Sequence, residues 1–177
     1  MVHLPQPLIF ESEAEWLEAR RAGLGATDAA AALGVSPWKS QFQLWSEKVG
    51  LVEPADLSNN EAVAWGTRLQ PIIGDAFRDA TGREVFHEPR FAVRKRIDLP
   101  WMLASLDATQ ACESKSAMGV LEIKTTGNHR VADWDDEPPL HYQIQLQHQL
   151  AVTGMEWGTL CVLIGGQKLR WFDQERN

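Results

Sequence analysis

The chain has 177 residues, 44% hydrophobic and 23% charged, an ordinary soluble globular composition with enough residues for one core. Its net charge of −7 excludes a passive polyanion binder of the usual basic kind, but not an enzyme that meets nucleic acid through carboxylates and a local basic face. No apolar run approaches the roughly 18 residues of a membrane span, no signal peptide opens the chain, and Cys112 and Cys161 lack metal-ligand spacing, so a cytoplasmic protein with reduced thiols is expected.

Residues 1–10 read as extended, because Pro5 and Pro7 oppose helix. Ser12 and Glu15 form a capping box for a helix to about Ala22, which Gly23 and Gly25 break. Thr27 is the expected N-cap of a small-residue helix ending at Gly34. Its start, with Arg20 or Arg21 nearby, reads either as a phosphate site or as a tightly packed structural helix. Ser36 to Lys39 is a turn, and Ser40 caps a helix through Lys48. After a polar linker over 51–60, Asn59 or Asn60 caps a longer helix to about Thr81, stopped by Gly82. Ala64, Ile72, Ile73, Ala76 and Phe77 supply its apolar stripe, and Pro71 should kink or break it.

From residue 84 the pattern changes to short strands. Residues 83–86 and 90–95 are candidates, and 101–109 with 119–126 read as a hairpin across a polar turn at 110–118. Residues 127–137 read as a polar loop. The segment 140–150 is ambiguous: glutamines at 143, 145, 147 and 149 alternate as in a strand, whereas Pro138-Pro139 at the start and Gly154 at the end frame a helix. Helix is preferred, which puts Tyr142, Gln145 and Gln149 on one face. Residues 159–164 and 168–172 form a last hairpin through Gly165-Gly166. The expected organisation is one domain, with a helical part at 11–82 and a sheet core at 84–177.

Glu-x-Lys occurs twice. Glu113-Ser-Lys115 lies in a polar turn, but Glu122-Ile-Lys124 is embedded in the apolar strand Gly119–Thr126. On a strand Glu122 and Lys124 share one face, while Leu121 and Ile123 bury on the other. Partly buried charges call for a partner or a metal. The hairpin would bring Asp107 beside Glu122. Asp107, Glu122 and the backbone carbonyl of Ile123 are oxygen donors suited to Mg²⁺ or Mn²⁺, with Lys124 placed to orient water and offset charge in phosphodiester cleavage. The competing reading is a solvated cross-strand acid–lysine cluster. Histidines at 3, 87, 129, 141 and 148 show no H-E-x-x-H spacing, and there is no Walker A loop or G-x-S-x-G. Arg90, Arg94, Lys95 and Arg96 either follow a DNA backbone or form a solvated strand edge. Of the eight tryptophans most are expected to anchor the core, with one or two left to stack on bases.

An ordered series of motifs extends this reading: Trp16-Leu-Glu-Ala-Arg20, Gly25-Ala-Thr-Asp-Ala-Ala-Ala-Ala-Leu-Gly-Val-Ser-Pro37, Trp65-Gly-Thr-Arg-Leu-Gln-Pro71, Ala104-Ser-Leu-Asp107, Leu121-Glu-Ile-Lys-Thr-Thr126 and Tyr142 through Gly154. The chain thereby resembles the YqaJ-type viral recombinases, the lambda-exonuclease-like group of the PD-(D/E)XK nuclease superfamily. The resemblance implies an α/β (α+β) fold with a restriction-endonuclease-like core, a central mixed sheet flanked by helices. It implies Mg²⁺-dependent digestion of linear double-stranded DNA, 5′ to 3′, for recombination. Implied partners are double-stranded DNA ends, a single-strand annealing protein and further copies of the chain.

By the same resemblance Asp107 and Glu122 match the metal-binding acids, Lys124 the catalytic lysine and Gln145 the glutamine of the flanking helix. Arg20 and Thr27 match the 5′-phosphate pocket, which turns the reading of that helix start toward phosphate. Two positions depart from the pattern. Gln70 stands where the family carries a Glu that assists the metal, which implies a weaker second-metal position. Ser-Leu-Asp-Ala replaces Ser-Pro-Asp-Gly around the first acid. Relatives also continue into a C-terminal helical region, so a truncated form is expected. The alternatives are a weakened nuclease fold that binds DNA ends or a protein, and an endonuclease with the same core.

Overall fold

The computed structural model describes residues 5–115 and 117–177. The extension expected over residues 1–4 therefore lies outside the described residues. Strand β1 (Leu8–Ile9) precedes four helices, α1 (Glu13–Arg21), α2 (Ala26–Ala32), α3 (Gln41–Lys48) and α4 (Glu61–Thr81). Strands β2 (Glu84–His87), β3 (Ala92–Lys95), β4 (Leu103–Ala104), β5 (Ala108–Ala111) and β6 (Gly119–Thr126) follow. A 3-10 segment (Asn128–Trp134) leads to α5 (Leu140–Thr153), and β7 (Trp157–Ile164) and β8 (Lys168–Glu175) close the described chain.

Five strands make a mixed sheet in the order β2-β5-β6-β7-β8, with β6 in the middle. Within this sheet, among the described residues, the β6–β7 pair alone is parallel, and α5 is its crossover, as a parallel pair requires. The remaining three, β1-β3-β4, form a small separate sheet. Helices cover both faces of the large sheet. On one face Val120 of β6 packs with Leu146 and Leu150 of α5 and Leu160 and Val162 of β7. On the other, Leu121 and Ile123 pack with Ile73 and Phe77 of α4. Gly158 permits the close seat of α5, since a Cβ there would lie 2.8 Å from Leu146 and 3.0 Å from the Val120 carbonyl. The fold is α+β, a central mixed sheet flanked by helices, as expected.

Several local expectations are corrected. Gly25, not Thr27, is the N-cap of α2, and the Asp28 carboxylate accepts from the Gly25 N–H at 3.0 Å. Thr27 therefore sits inside the first turn with its hydroxyl free of capping. α4 continues through Pro71 without a break. The carbonyl that Pro71 leaves without a donor belongs to Thr67, which is exposed, so water can satisfy it. The buried stripe of α4 is narrower than expected: Ile73, Gly74 and Phe77 bury, whereas Ile72 is exposed.

The hairpin to β6 is formed by 108–111, not 101–109. Leu103–Ala104 pairs with β3 in the small sheet, and Gln110 and Ala111 belong to the strand rather than to a turn. The loop over 127–137 contains helical turns and buries Trp134 against Tyr142 and Phe172. The ambiguous glutamine segment is helical over its full 14 residues.

Candidate nuclease site

β6 alternates as its sequence dictates, and its charged face lies under α5. Glu122 is buried, yet each hydrogen-bond partner of its carboxylate is a donor. Its Oε1 takes the Lys124 ammonium and the Gln145 side-chain amide. Its Oε2 takes the Gln149 amide at 2.6 Å. Gln145 and Gln149 are one helical turn apart, so both reach the same strand residue. The Lys124 ammonium also lies 5.1 Å from the centre of the Tyr142 ring, one further position on that face.

Asp107 precedes β5 and joins the cluster from the neighbouring strand. Its Oδ2 accepts the Ile123 backbone N–H at 2.7 Å. Burial and the adjacent Glu122 charge push the Asp107 carboxyl up to about 7, against the opposing pull of Lys124 and the Ile123 N–H. Burial by itself would lower the Lys124 pKa, but Glu122 and Asp107 outweigh it and hold the ammonium above its ordinary value. With both carboxylates ionised, the cluster carries one negative charge more than Lys124 offsets. Two carboxylates beside a strand carbonyl, with that excess charge, form a donor set that fits a hard divalent cation. Among the described residues no third Asp, Glu, His or Cys completes a larger metal cluster.

Gln70 is not drawn into these contacts. It extends from α4, which packs on the opposite face of the sheet from Glu122, and no hydrogen bond joins it to Asp107, Glu122 or Lys124. Arg20 and Thr27 do meet: Arg20 donates to the Thr27 hydroxyl at 3.2 Å. The guanidinium lies over the Trp16 ring at 4.4 Å. Burial lowers its pKa, and nearby Asp28 only partly offsets this. Asp28 is instead paired with Lys48 at 2.8 Å. Arg20 thus keeps several donors unspent, and the anion reading rests on that guanidinium rather than on the short helix α2. α2 packs against α5, so the Arg20 cluster and the Glu122 cluster bear on the same helix.

The basic run at 90–96 is largely committed within the fold. Buried Arg94 pairs with Glu88 at 2.6 Å and donates to the Pro5 carbonyl, and Arg96 pairs with Asp98. Gln149 is the site residue that sequence reasoning left unassigned. Its signal was its i, i+4 spacing from Gln145.

A family model for the YqaJ-like viral recombinase domain matches residues 15–156. The chain belongs to this family. The "Uncharacterized protein YqaJ" of Bacillus subtilis (strain 168) is 36% identical over 169 residues, covering 94% of this chain and 51% of that protein. The chain thus spans about half the length of that curated relative. Its fold is similar to the crystal structure of an alkaline exonuclease, LHK-Exo, from Laribacter hongkongensis. The TM-score is 0.67 at 18% identity, over 93% of this chain and 82% of that one. The same enzyme in complex with dAMP matches with a TM-score of 0.67 at 19% identity, over 93% and 83%. A phage-related exonuclease from Haemophilus somnus 129PT matches with a TM-score of 0.57 at 9% identity, over 88% and 85%. The place of the YqaJ-like chain in the family and its fold agree with the motif series.

Proposed function

We propose that this YqaJ-like chain is a divalent-metal-dependent deoxyribonuclease that digests linear double-stranded DNA from its ends, 5′ to 3′, in phage-type recombination. The observation that carries the reading is the Glu122 carboxylate, buried and held by Lys124, Gln145 and Gln149 beside Asp107. Pairing and hydrogen bonds meet the cost of burying Glu122, but a second buried carboxylate, Asp107, stands beside it, and the excess negative charge of the two acids suits a divalent cation. The exonuclease names of the similar structures, and the dAMP held by one of them, support the same chemistry.

Asp107, Glu122 and the Ile123 carbonyl would hold Mg²⁺ or Mn²⁺. Bound there, the cation would polarise the scissile phosphate and make water a better nucleophile. Lys124 orients the attacking water and offsets the charge that builds on the phosphate oxygens. Gln145 and Gln149 fix the Glu122 carboxylate in its rotamer, so that less reorganisation accompanies the reaction. Arg20 with Thr27 receives the 5′-phosphate of the DNA end through charge-assisted hydrogen bonds. Such an enzyme hands single strands to an annealing protein.

Linear and covalently closed circular duplexes, incubated in Mg²⁺ and Mn²⁺, test this. The exonuclease shortens the linear form alone. Cutting of the circle would show an endonuclease with the same core. The neutral Gln70 favours, as a second reading, a weakened centre that grips DNA ends, which would appear as end binding without product.

A further inference from the structure

Trp38 lies outside the centre described above but is in contact with it. It sits in the turn between α2 and α3, where the Ser36 hydroxyl accepts from the Trp38 and Lys39 N–H groups at 3.2 and 3.3 Å. The Lys39 ammonium is fastened to buried Glu47 on α3, so the turn is anchored at both ends. The indole packs at 4.7 Å and 88° on the His141 ring and at 5.9 Å on the Tyr142 ring. It nevertheless remains 62% exposed. Tyr142 is the ring that lies against the Lys124 ammonium. One aromatic ring, Tyr142, therefore lies between an open indole and the lysine of the candidate cutting site.

Several tryptophans of the chain are exposed, but among them Trp38 is the one whose indole is seated on the ring that meets Lys124, which leaves a large flat apolar face open beside the candidate site. Its surroundings suit a nucleotide. Lys124 and Arg130 both bear on the His141 and Tyr142 rings, with Asp133 and Glu122 as the opposing charges. Aromatic side chains beside cations are the general means of holding bases next to a charged backbone. Other exposed apolar residues nearby, Phe42 and Trp45 on α3, pair with each other, and no ring contact ties them to Lys124.

We propose that Trp38, supported by His141 and Tyr142, is a stacking platform for one nucleobase of the DNA end, close to the phosphodiester presented to Lys124. The inference rests on the nuclease reading and adds a binding residue to it.

The test is a double-mutant cycle on binding of a 5′-phosphorylated duplex in Ca²⁺ without Mg²⁺. A single abasic site is walked through the terminal positions, with wild type, Trp38→Ala and Trp38→Phe compared. Loss of the stack should weaken binding of the intact duplex by about five- to hundredfold in Trp38→Ala, the range for one base–aromatic stack, and Trp38→Phe should recover most of it. An abasic site at one position should cost wild type a similar factor and cost Trp38→Ala nothing. A structural role for the indole would make the two losses multiply at every position, and that result, or equal binding by Trp38→Ala and wild type, overturns the proposal. If wild type shortens linear duplex in Mg²⁺ yet shows no position-specific coupling, Trp38 alone loses its role. A wild type that neither binds nor shortens the duplex overturns the nuclease reading and this inference together.

Discussion

Gln149 donates its side-chain amide to Glu122 Oε2 at 2.6 Å, so the carboxylate oxygen that Lys124 and Gln145 leave open is held from α5 as well. The same amide approaches the Ser105 carbonyl at 3.3 Å, which fixes its orientation. Its own carbonyl oxygen is buried without a partner among the described residues. A buried polar atom left unmatched is a cost, and the hydrogen bond to Glu122 is what the placement provides in return.

Gln149→Ala should therefore loosen the acid without removing it. The expected outcome is a loss of about 10–100-fold in metal affinity or activity, the usual effect of removing a partner that orients a metal ligand. A Mn²⁺ titration of activity, alongside calorimetric Mn²⁺ binding, checks it. The curve should shift to higher Mn²⁺ while the circular dichroism of the fold is retained.

Asp107 gives a pH prediction for the metal-free protein. Its carboxyl is raised from an ordinary 3.8 to about 7 by burial and by Glu122, so the folded chain holds this proton more tightly than the unfolded chain. The corresponding stability is full below about pH 4 and is lost as pH rises through about 7. In EDTA, the Tm of wild type minus that of Asp107→Asn should fall between those limits. Adding Mg²⁺ at the upper limit should raise the wild-type Tm, because a ligand of the folded state stabilises it. A difference that stays flat with pH would contradict this.

Much of this arrangement was legible in the sequence. Glu122 and Lys124 stand out because a period-two strand must put both on one face, and that face proves to be the one beneath α5. The alternating glutamines of α5 misled toward strand because they serve two sides of a helix. Gln145 and Gln149 point inward to Glu122, while Gln147 bonds the Glu175 carbonyl and Gln143 meets Gln174 near the outer strand. Pro138-Pro139 and Gly154 decided the matter correctly because caps are local chemistry. The departure of Leu103–Ala104 to the small sheet was not legible, since which sheet a short apolar strand joins depends on partners far along the chain. Nor was the burial of Trp134, which depends on Tyr142 and Phe172 arriving from α5 and β8.

The proposed role of Arg20 and Thr27 in receiving a 5′-phosphate predicts a substrate preference. Arg20 has one hydrogen bond to Thr27, and no ion pair engages its guanidinium among the described residues. Wild type should degrade a 5′-phosphorylated duplex faster than its 5′-hydroxyl counterpart, by about tenfold for one charge-assisted contact. Arg20→Gln should erase that difference and leave the slower 5′-hydroxyl rate nearly unchanged. Initial rates on the two substrates measure it directly.

Gln70→Glu tests the departure from the family pattern. If α4 brings position 70 within reach of a second cation, the added carboxylate should lower the Mg²⁺ concentration needed for half-maximal rate by about tenfold, the lower end of effects seen for groups around a metal. An unchanged Mg²⁺ curve would mean that the opposite-face placement of α4 keeps position 70 out of the chemistry.

The central claim is that Asp107, Glu122 and Lys124 make one metal-dependent cutting centre. Nucleotide release from a linear 5′-phosphorylated duplex, followed across Mg²⁺ and Mn²⁺ titrations for wild type, Glu122→Gln and Lys124→Ala, tests it most directly. Wild type should release nucleotides only with the cation, and both variants should release essentially none while remaining folded. A wild type that leaves the duplex intact at every concentration of either metal, or variants that match its rate, would contradict the account.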